Sequence, residues 1–286
     1  MAHRGSGGRS RGVLLFFVLT FAWSWSQWGT AVATGLLLTD RAGFMLYITG
    51  ALGPLIGAAL VVYRRDHAYR REFLRRIWDP RLVPAGWWLA LIAVSILPSV
   101  LGAMLASVAG AAASLPDHSV EMVVGAAVLA LGAGLIEEPG WRGAALDALQ
   151  ERNPRPVWAA LGIGALWSFW HLPLSFLEGT YFHGLGFGSV EFWLTHLMLV
   201  QLGVLYVWLV NGSGGSILLA ALAHAGFNAV WGLLPQSTTG TLFTFLILTA
   251  GTVAVVVATK GDLSFTATGS TLIGRDHVSE KPDRSS

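Results

Sequence analysis

Two adjacent glutamates, Glu137 and Glu138, close an otherwise apolar run, "VVGAAVLALGAGLIEEPGWRG" (123–143), with Arg142 four residues further on. Later in the chain Trp167 stands four residues before His171, and His224 four before Asn228. Residues four apart share a helix face, so Glu138 can pair with Arg142 and His224 can sit beside Asn228. Glu137 is turned about 100° round the helix from Glu138 and can point elsewhere, into a cavity shared with other helices. A carboxylate held away from bulk water can take a proton from a water molecule. Imidazoles can hold a divalent metal or donate to a developing oxyanion, and an asparagine amide can donate to the same oxyanion. The set suits hydrolysis of a carbonyl compound by activated water. No HExxH pattern is present. Ser168 and Ser175 flank His171, but no GxSxG elbow accompanies them. Cysteine is absent, which excludes thiol catalysis and thiolate metal sites.

The elements that carry these residues are apolar helices. The chain has 286 residues, 54% of them hydrophobic and 12% charged; its mean hydropathy is +0.60. Soluble domains carry roughly 25% charged residues, so the deficit points to lipid as the solvent. Thirteen tryptophans fit, because indole favours the membrane interface. The net charge of +2 gives no reason to expect nucleic acid as a partner. A spanning helix needs about 20 apolar residues. By that measure eight segments qualify: 13–36, 43–63, 86–110, 120–141, 156–176, 190–210, 214–234 and 238–259. The expected fold is therefore all-α, a polytopic membrane bundle of about eight spans around an intramembrane polar cavity. The first segment reads as an anchor rather than a cleaved signal. Pro139 leaves the carbonyl of Leu135 without its helical donor and predicts a kink, after which "AALDALQ" continues the helix to about Gln150. Gly53 and Gly57 form a small-xxx-small pair that predicts a close helix contact. "NGSGG" (211–215) has no phosphate-loop lysine and reads as a turn.

Basic residues set the orientation. Arg4, Arg9 and Arg11, then Arg64, Arg65, Arg70, Arg71, Arg75, Arg76 and Arg81, then Arg152 and Arg155, then Lys260 fall on alternate connections; the opposite set holds Arg41. The positive-inside rule then puts both termini in the cytoplasm and predicts a site reached from that half. The domain reading is a cytoplasmic tail over 1–11, a membrane domain over 12–260 with a core at 120–233, and a Ser/Thr/Gly-rich cytoplasmic tail over 261–286 that reads as disordered. The arginines of 64–81 act first as a topology signal; anionic headgroups are a second use.

Ionisable residues at membrane depth default to function, but each is weighed against packing. His196 and Gln201, alone on an aromatic-rich span, read as packing residues. Glu138 with Arg142 reads as a structural pair that shapes the site, and Trp167 as its wall. Glu137, His171 and His224 gain weight by occurring together.

At this point the sequence resembles a known family. "EEPGWR" (137–142) matches the EExxxR motif of the CAAX protease and bacteriocin-processing (CPBP) intramembrane metalloproteases. "WSFWH" (167–171) is similar to its second motif, with Trp167 where phenylalanine is usual, and "HAGFN" (224–228) matches HxxxN. The resemblance covers about 120–233. It implies a multi-pass endopeptidase, expected in a bacterial plasma membrane, that acts on a peptide or membrane-anchored protein among membrane lipids. Glu137 would activate water; His171 and His224 would bind a metal or polarise the carbonyl; Asn228 would assist the oxyanion. A divalent metal, zinc first, would take His171, His224 and Glu137 as ligands, although a Glu137 bound to metal is a poorer base. The alternative is a non-proteolytic scaffold or bacteriocin-immunity or regulatory protein that keeps the pocket. A proton-coupled transporter lacks the paired broken helices and inverted repeat it would need. The oligomeric state and the substrate are not legible.

Overall fold

The computed structural model describes residues 6–111, 117–151, 155–235 and 237–264. Every regular element among them is helical. In chain order these are α1 (Ser6–Ala33), α2 (Arg41–Ala51), α3 (Gly53–Tyr63), α4 (His67–Trp78), a short 3₁₀ segment Pro80–Leu82, α5 (Ala85–Ser95), α6 (Leu97–Val108), α7 (Val120–Glu138), a π-helical segment Pro139–Ala145, α8 (Leu146–Gln150), α9 (Pro156–Trp170), a 3₁₀ turn Leu172–Phe176, α10 (Tyr181–Gly184), α11 (Val190–Gly212), α12 (Ile217–Leu233) and α13 (Thr238–Ala258).

Each of the eight expected segments is helical, with two corrections. Among the described residues six stretches are long and apolar enough to cross a membrane: Arg41–Tyr63, Ala85–Val108, Val120–Gln150, Pro156–Phe176, Val190–Gly212 and Thr238–Ala258. Helix α12 is apolar but shorter, and α1 does not join the six. Its second half, "WSWSQWGT", is polar because it serves a neighbour rather than lipid. Pro54 has no N–H, so the carbonyl of Gly50 loses its helical donor. Ser24 Oγ donates to that carbonyl at 2.7 Å, and Trp23 and Trp28 donate to Thr49 O and Tyr47 O at 2.7 and 3.1 Å. The predicted close contact at Gly57 is present: a Cβ there would lie 2.7 Å from Thr20 Oγ1.

Boundaries also move. The helix expected from residue 13 starts at Ser6. Gly261–Ser264, expected in the tail, pack instead on the bundle: Gly261 O accepts from the Val157 amide at 3.1 Å, and Leu263 is buried. The tail readings over 1–5 and 265–286 lie outside the described residues.

The basic connections gather at one end. Arg65 pairs with Glu151 at 2.9 Å, Arg76 with Asp147 at 2.7 Å, and Arg76 Nε donates to Gly215 O at 2.7 Å. Tyr69 Oη donates to Asp147 at 2.8 Å; burial first, and that carboxylate second, hold its hydroxyl above the ordinary range, so it stays a donor. At the other end Leu38 N donates to Glu178 O at 2.9 Å, joining the connections after α1 and after the 3₁₀ turn.

The central contact is α7 against α12. Gly134 makes it possible, because a Cβ there would run into the carbonyl oxygen of Ala221. Any side chain at 134 must therefore push the helix carrying the glutamates away from the helix carrying His224. Gly134→Val should destabilise the protein by about 1–3 kcal/mol through overpacking. The check is thermal unfolding in detergent, with Gly132→Val as the control, since nothing lies within 4 Å of a Cβ there.

Candidate active site

The carboxylates enter at the C-terminal end of α7. Pro139 predicted a kink, and at this position the chain widens into a π-helix over Pro139–Ala145. Such a bulge absorbs the missing N–H without ending the helix. Gly140 presses on α3, where a Cβ would lie 2.7 Å from Pro54 Cβ. Every residue from Glu137 to Leu146 is buried.

The two glutamates diverge, as their angular separation predicts. Glu137 lines a cavity of about 300 Å³ together with Trp167, His171, His224 and Asn228. Glu138 is sealed behind it with no exposed surface. Glu138 Oε1 accepts from Arg142 Nη1 at 2.9 Å and from His224 Nδ1 at 2.9 Å. The predicted pair is thus one half of a bridge that ties α7 to α12. The guanidinium of Arg142 lies 4.4 Å from the Trp167 ring centroid and 5.0 Å from that of Tyr206, an aromatic seat for a desolvated cation.

Trp167 does more than wall the pocket. Its indole Nε1 donates to Glu137 Oε2 at 2.7 Å, and its carbonyl accepts from His171 Nδ1 at 2.8 Å. A carbonyl can only accept, so Nδ1 of His171 carries the proton and a neutral ring presents the lone pair of Nε2. The same logic applies to His224, whose Nδ1 faces a carboxylate. A neutral His171 therefore accepts a hydrogen from water and cannot donate to an oxyanion, which narrows the chemistry open to it. His224 is different: a carboxylate behind it can support the charged ring, whose Nε2 then donates.

Glu137 and both histidines line one cavity. The partner of His224 is Glu138, while Glu137 is held by Trp167. Among the described residues no three histidine or carboxylate side chains come together closely enough to hold a metal ion. Glu137, His171 and His224 do not form such a group.

Several neighbours had no signature in the sequence. Phe182 of α10 stacks on His171, with centroids 4.7 Å apart, and Trp170 meets the same ring edge-on at 4.8 Å. Tyr206 lies 6.0 Å from His224. Mid-span position was the available signal for Tyr206; Phe182 comes from a connection and had none. His196 pairs with Ser168 Oγ at 2.8 Å, and Gln201 donates to Thr249 Oγ1 at 2.6 Å. Neither lines the cavity. Asn228, Gly232 and Tyr181 line it and are exposed, which marks its open side. Phe182 and Tyr181 belong to the connection at the end away from the arginines.

A bundle of apolar spanning helices with two carboxylates and two histidines sunk in it defines an integral, multi-pass membrane protein. A family model described as type II CAAX prenyl endopeptidase Rce1-like matches residues 119–230, the segment that holds all three motifs. The CAAX prenyl protease 2 of Methanococcus maripaludis is 29% identical over 227 residues, which cover 75% of this chain and 82% of that protein. The motif-bearing part of the chain is thus similar to prenyl endopeptidases of this kind.

The buried bridge makes a specific prediction. Arg142→Met leaves Glu138 charged and short of a partner in a sealed site, which should cost about 3–5 kcal/mol. Glu138→Gln combined with Arg142→Met removes both charges and should recover part of that loss in a thermal-unfolding double-mutant cycle. Additive losses would mean that the two side chains are not coupled.

Proposed function

We propose that the chain hydrolyses a peptide bond with a water molecule activated by Glu137. The observation that carries this reading is the division of labour at 137 and 138. One carboxylate lines a cavity beside two imidazoles, and the other is sealed behind it and neutralised by Arg142.

Each residue then has a task that its contacts suit. The indole of Trp167 fixes one oxygen of Glu137 and leaves the other for water. The lone pair of His171 Nε2 accepts one water hydrogen and helps aim the oxygen. Glu137 takes the second proton as the oxygen attacks the carbonyl carbon. Charge developing on the carbonyl oxygen is met by Asn228 and by His224, whose imidazolium form Glu138 supports. The proton on Glu137 passes to the departing amine as the C–N bond breaks, which returns the carboxylate. The mostly apolar cavity wall, Trp170, Met198, Leu202 and Phe227 among it, suits a substrate segment presented from lipid. The substrate is a peptide or a membrane-anchored protein. With the arginine-rich connections in the cytoplasm, both termini lie there too.

Glu137→Gln keeps the shape of the side chain but removes the base. Cells carrying it should accumulate uncleaved membrane-anchored precursors relative to wild type, read by peptide mass spectrometry of membranes. Removing a general base typically costs roughly 10²–10⁴-fold in rate. Identical membrane peptide profiles for wild type, Glu137→Gln and His171→Ala would sink the proposal. Metal analysis of the purified protein runs alongside: a stoichiometric metal lost in His171→Ala would assign that histidine to a metal rather than to water. Labelling of a cysteine placed at residue 70 should occur only from the cytoplasmic side.

A further inference from the structure

Helix α4 (His67–Trp78) lies outside the site and joins two spans, so it sits at the edge of the bilayer. Its start is fixed by Asp66, which accepts from the Tyr69 amide at 2.8 Å; that bond is the main reason the Asp66 carboxyl is held below its ordinary range. The helix has two faces. Phe73, Arg76 and Ile77 are buried against the bundle, where Phe73 would lie 2.7 Å from a Cβ on Gly143. The opposite face is Arg71, Leu74, Arg75 and Trp78, spaced i, i+3, i+4 and i+7 on one side of the helix. Leu74 is 56% and Trp78 63% exposed, and the adjoining Tyr63 is 74% exposed.

The charge is as uneven as the packing. Residues 64–81 hold seven arginines against Asp66, Glu72 and Asp79. Arg75 pairs with Glu72 at 2.8 Å, with both side chains about half exposed. Arg64 and Arg71 have no carboxylate partner among the described residues. Arg70 lies over the Tyr63 ring, 5.5 Å from its centroid.

We propose that this outer face of α4 is a docking site for the headgroups of anionic glycerophospholipids in the membrane that holds the protein. A topology signal needs positive charge on the connection and nothing about its register. Here the register places a leucine and a tryptophan between arginines, on the side facing away from the bundle. That arrangement sinks apolar side chains below the headgroup plane while guanidiniums meet phosphates above it. A soluble partner would leave Leu74 and Trp78 beside lipid with no reason for the interleaving. The surface is separate from the cavity and does not rest on the proposed hydrolysis.

The test uses the purified full-length protein in detergent, titrated with dioleoylphosphatidylglycerol or dioleoylphosphatidylcholine and read by native mass spectrometry. Wild type should retain the anionic lipid several-fold more than the neutral one. Arg71→Gln/Arg75→Gln should lose most of that preference. Leu74→Ser/Trp78→Ser keeps every charge and should also lose it, with unchanged unfolding temperature in both variants. Equal retention of the two lipids by wild type overturns the proposal. So does a preference that survives Leu74→Ser/Trp78→Ser, because that outcome is diffuse electrostatics without a docking face.

Discussion

The bridge from Arg142 through Glu138 to His224 is the constraint around which the core is arranged. Two full charges in a lipid-facing bundle are tolerable only if each is desolvated against the other and neither is stranded. Nearly every distinctive feature of the core serves that condition. Gly134 lets α7 approach α12 closely enough for Glu138 to reach His224. The π-helical widening after Pro139 keeps Arg142 on the same side as Glu138. Trp167 and Tyr206 give the guanidinium two aromatic faces in place of water. With charge thus compensated behind the wall, a second carboxylate can stand in the cavity in front of it.

The same bridge explains why adjacent glutamates are not redundant. Glu138 sets the tautomer of His224 and orients its ring; Trp167 does the equivalent for His171 through its carbonyl and for Glu137 through its indole. Glu137, His171 and His224 are therefore each held by a partner. Preorganisation of this kind is what lets a site act on water without rearranging during the reaction. Both rings donate from Nδ1, to a carbonyl in one case and to a carboxylate in the other, which leaves Nε2 of each for the cavity.

Much of this was legible in the sequence because helices have a fixed period. Four-residue spacing alone put Glu138 with Arg142, and a single-residue step turned Glu137 elsewhere. Hydropathy found the helices, and Gly53–Gly57 found a close contact. What failed had physical causes. Hydropathy overrated α1, since Ser24, Trp23 and Trp28 are spent on carbonyls of α2, and Trp25 on that of Trp170, rather than on lipid. Pro139 announced a break but could not say that a π-helix would absorb it. The contact of His224 with Glu138 had no signal, because pairing between helices depends on depth and rotation, neither of which spacing within one helix reports. Phe182, which covers His171, sits in a connection with no periodicity to read.

The central claim is that Glu137, and not its neighbour, drives hydrolysis. Its most direct test is single-turnover cleavage of a membrane-anchored peptide by purified protein in lipid vesicles, comparing wild type with Glu137→Gln at matched unfolding temperature. The account predicts cleavage by wild type, with one solvent oxygen in the new carboxylate, and a chemical step slowed roughly 10²–10⁴-fold in the variant. Wild-type rates in Glu137→Gln would contradict it.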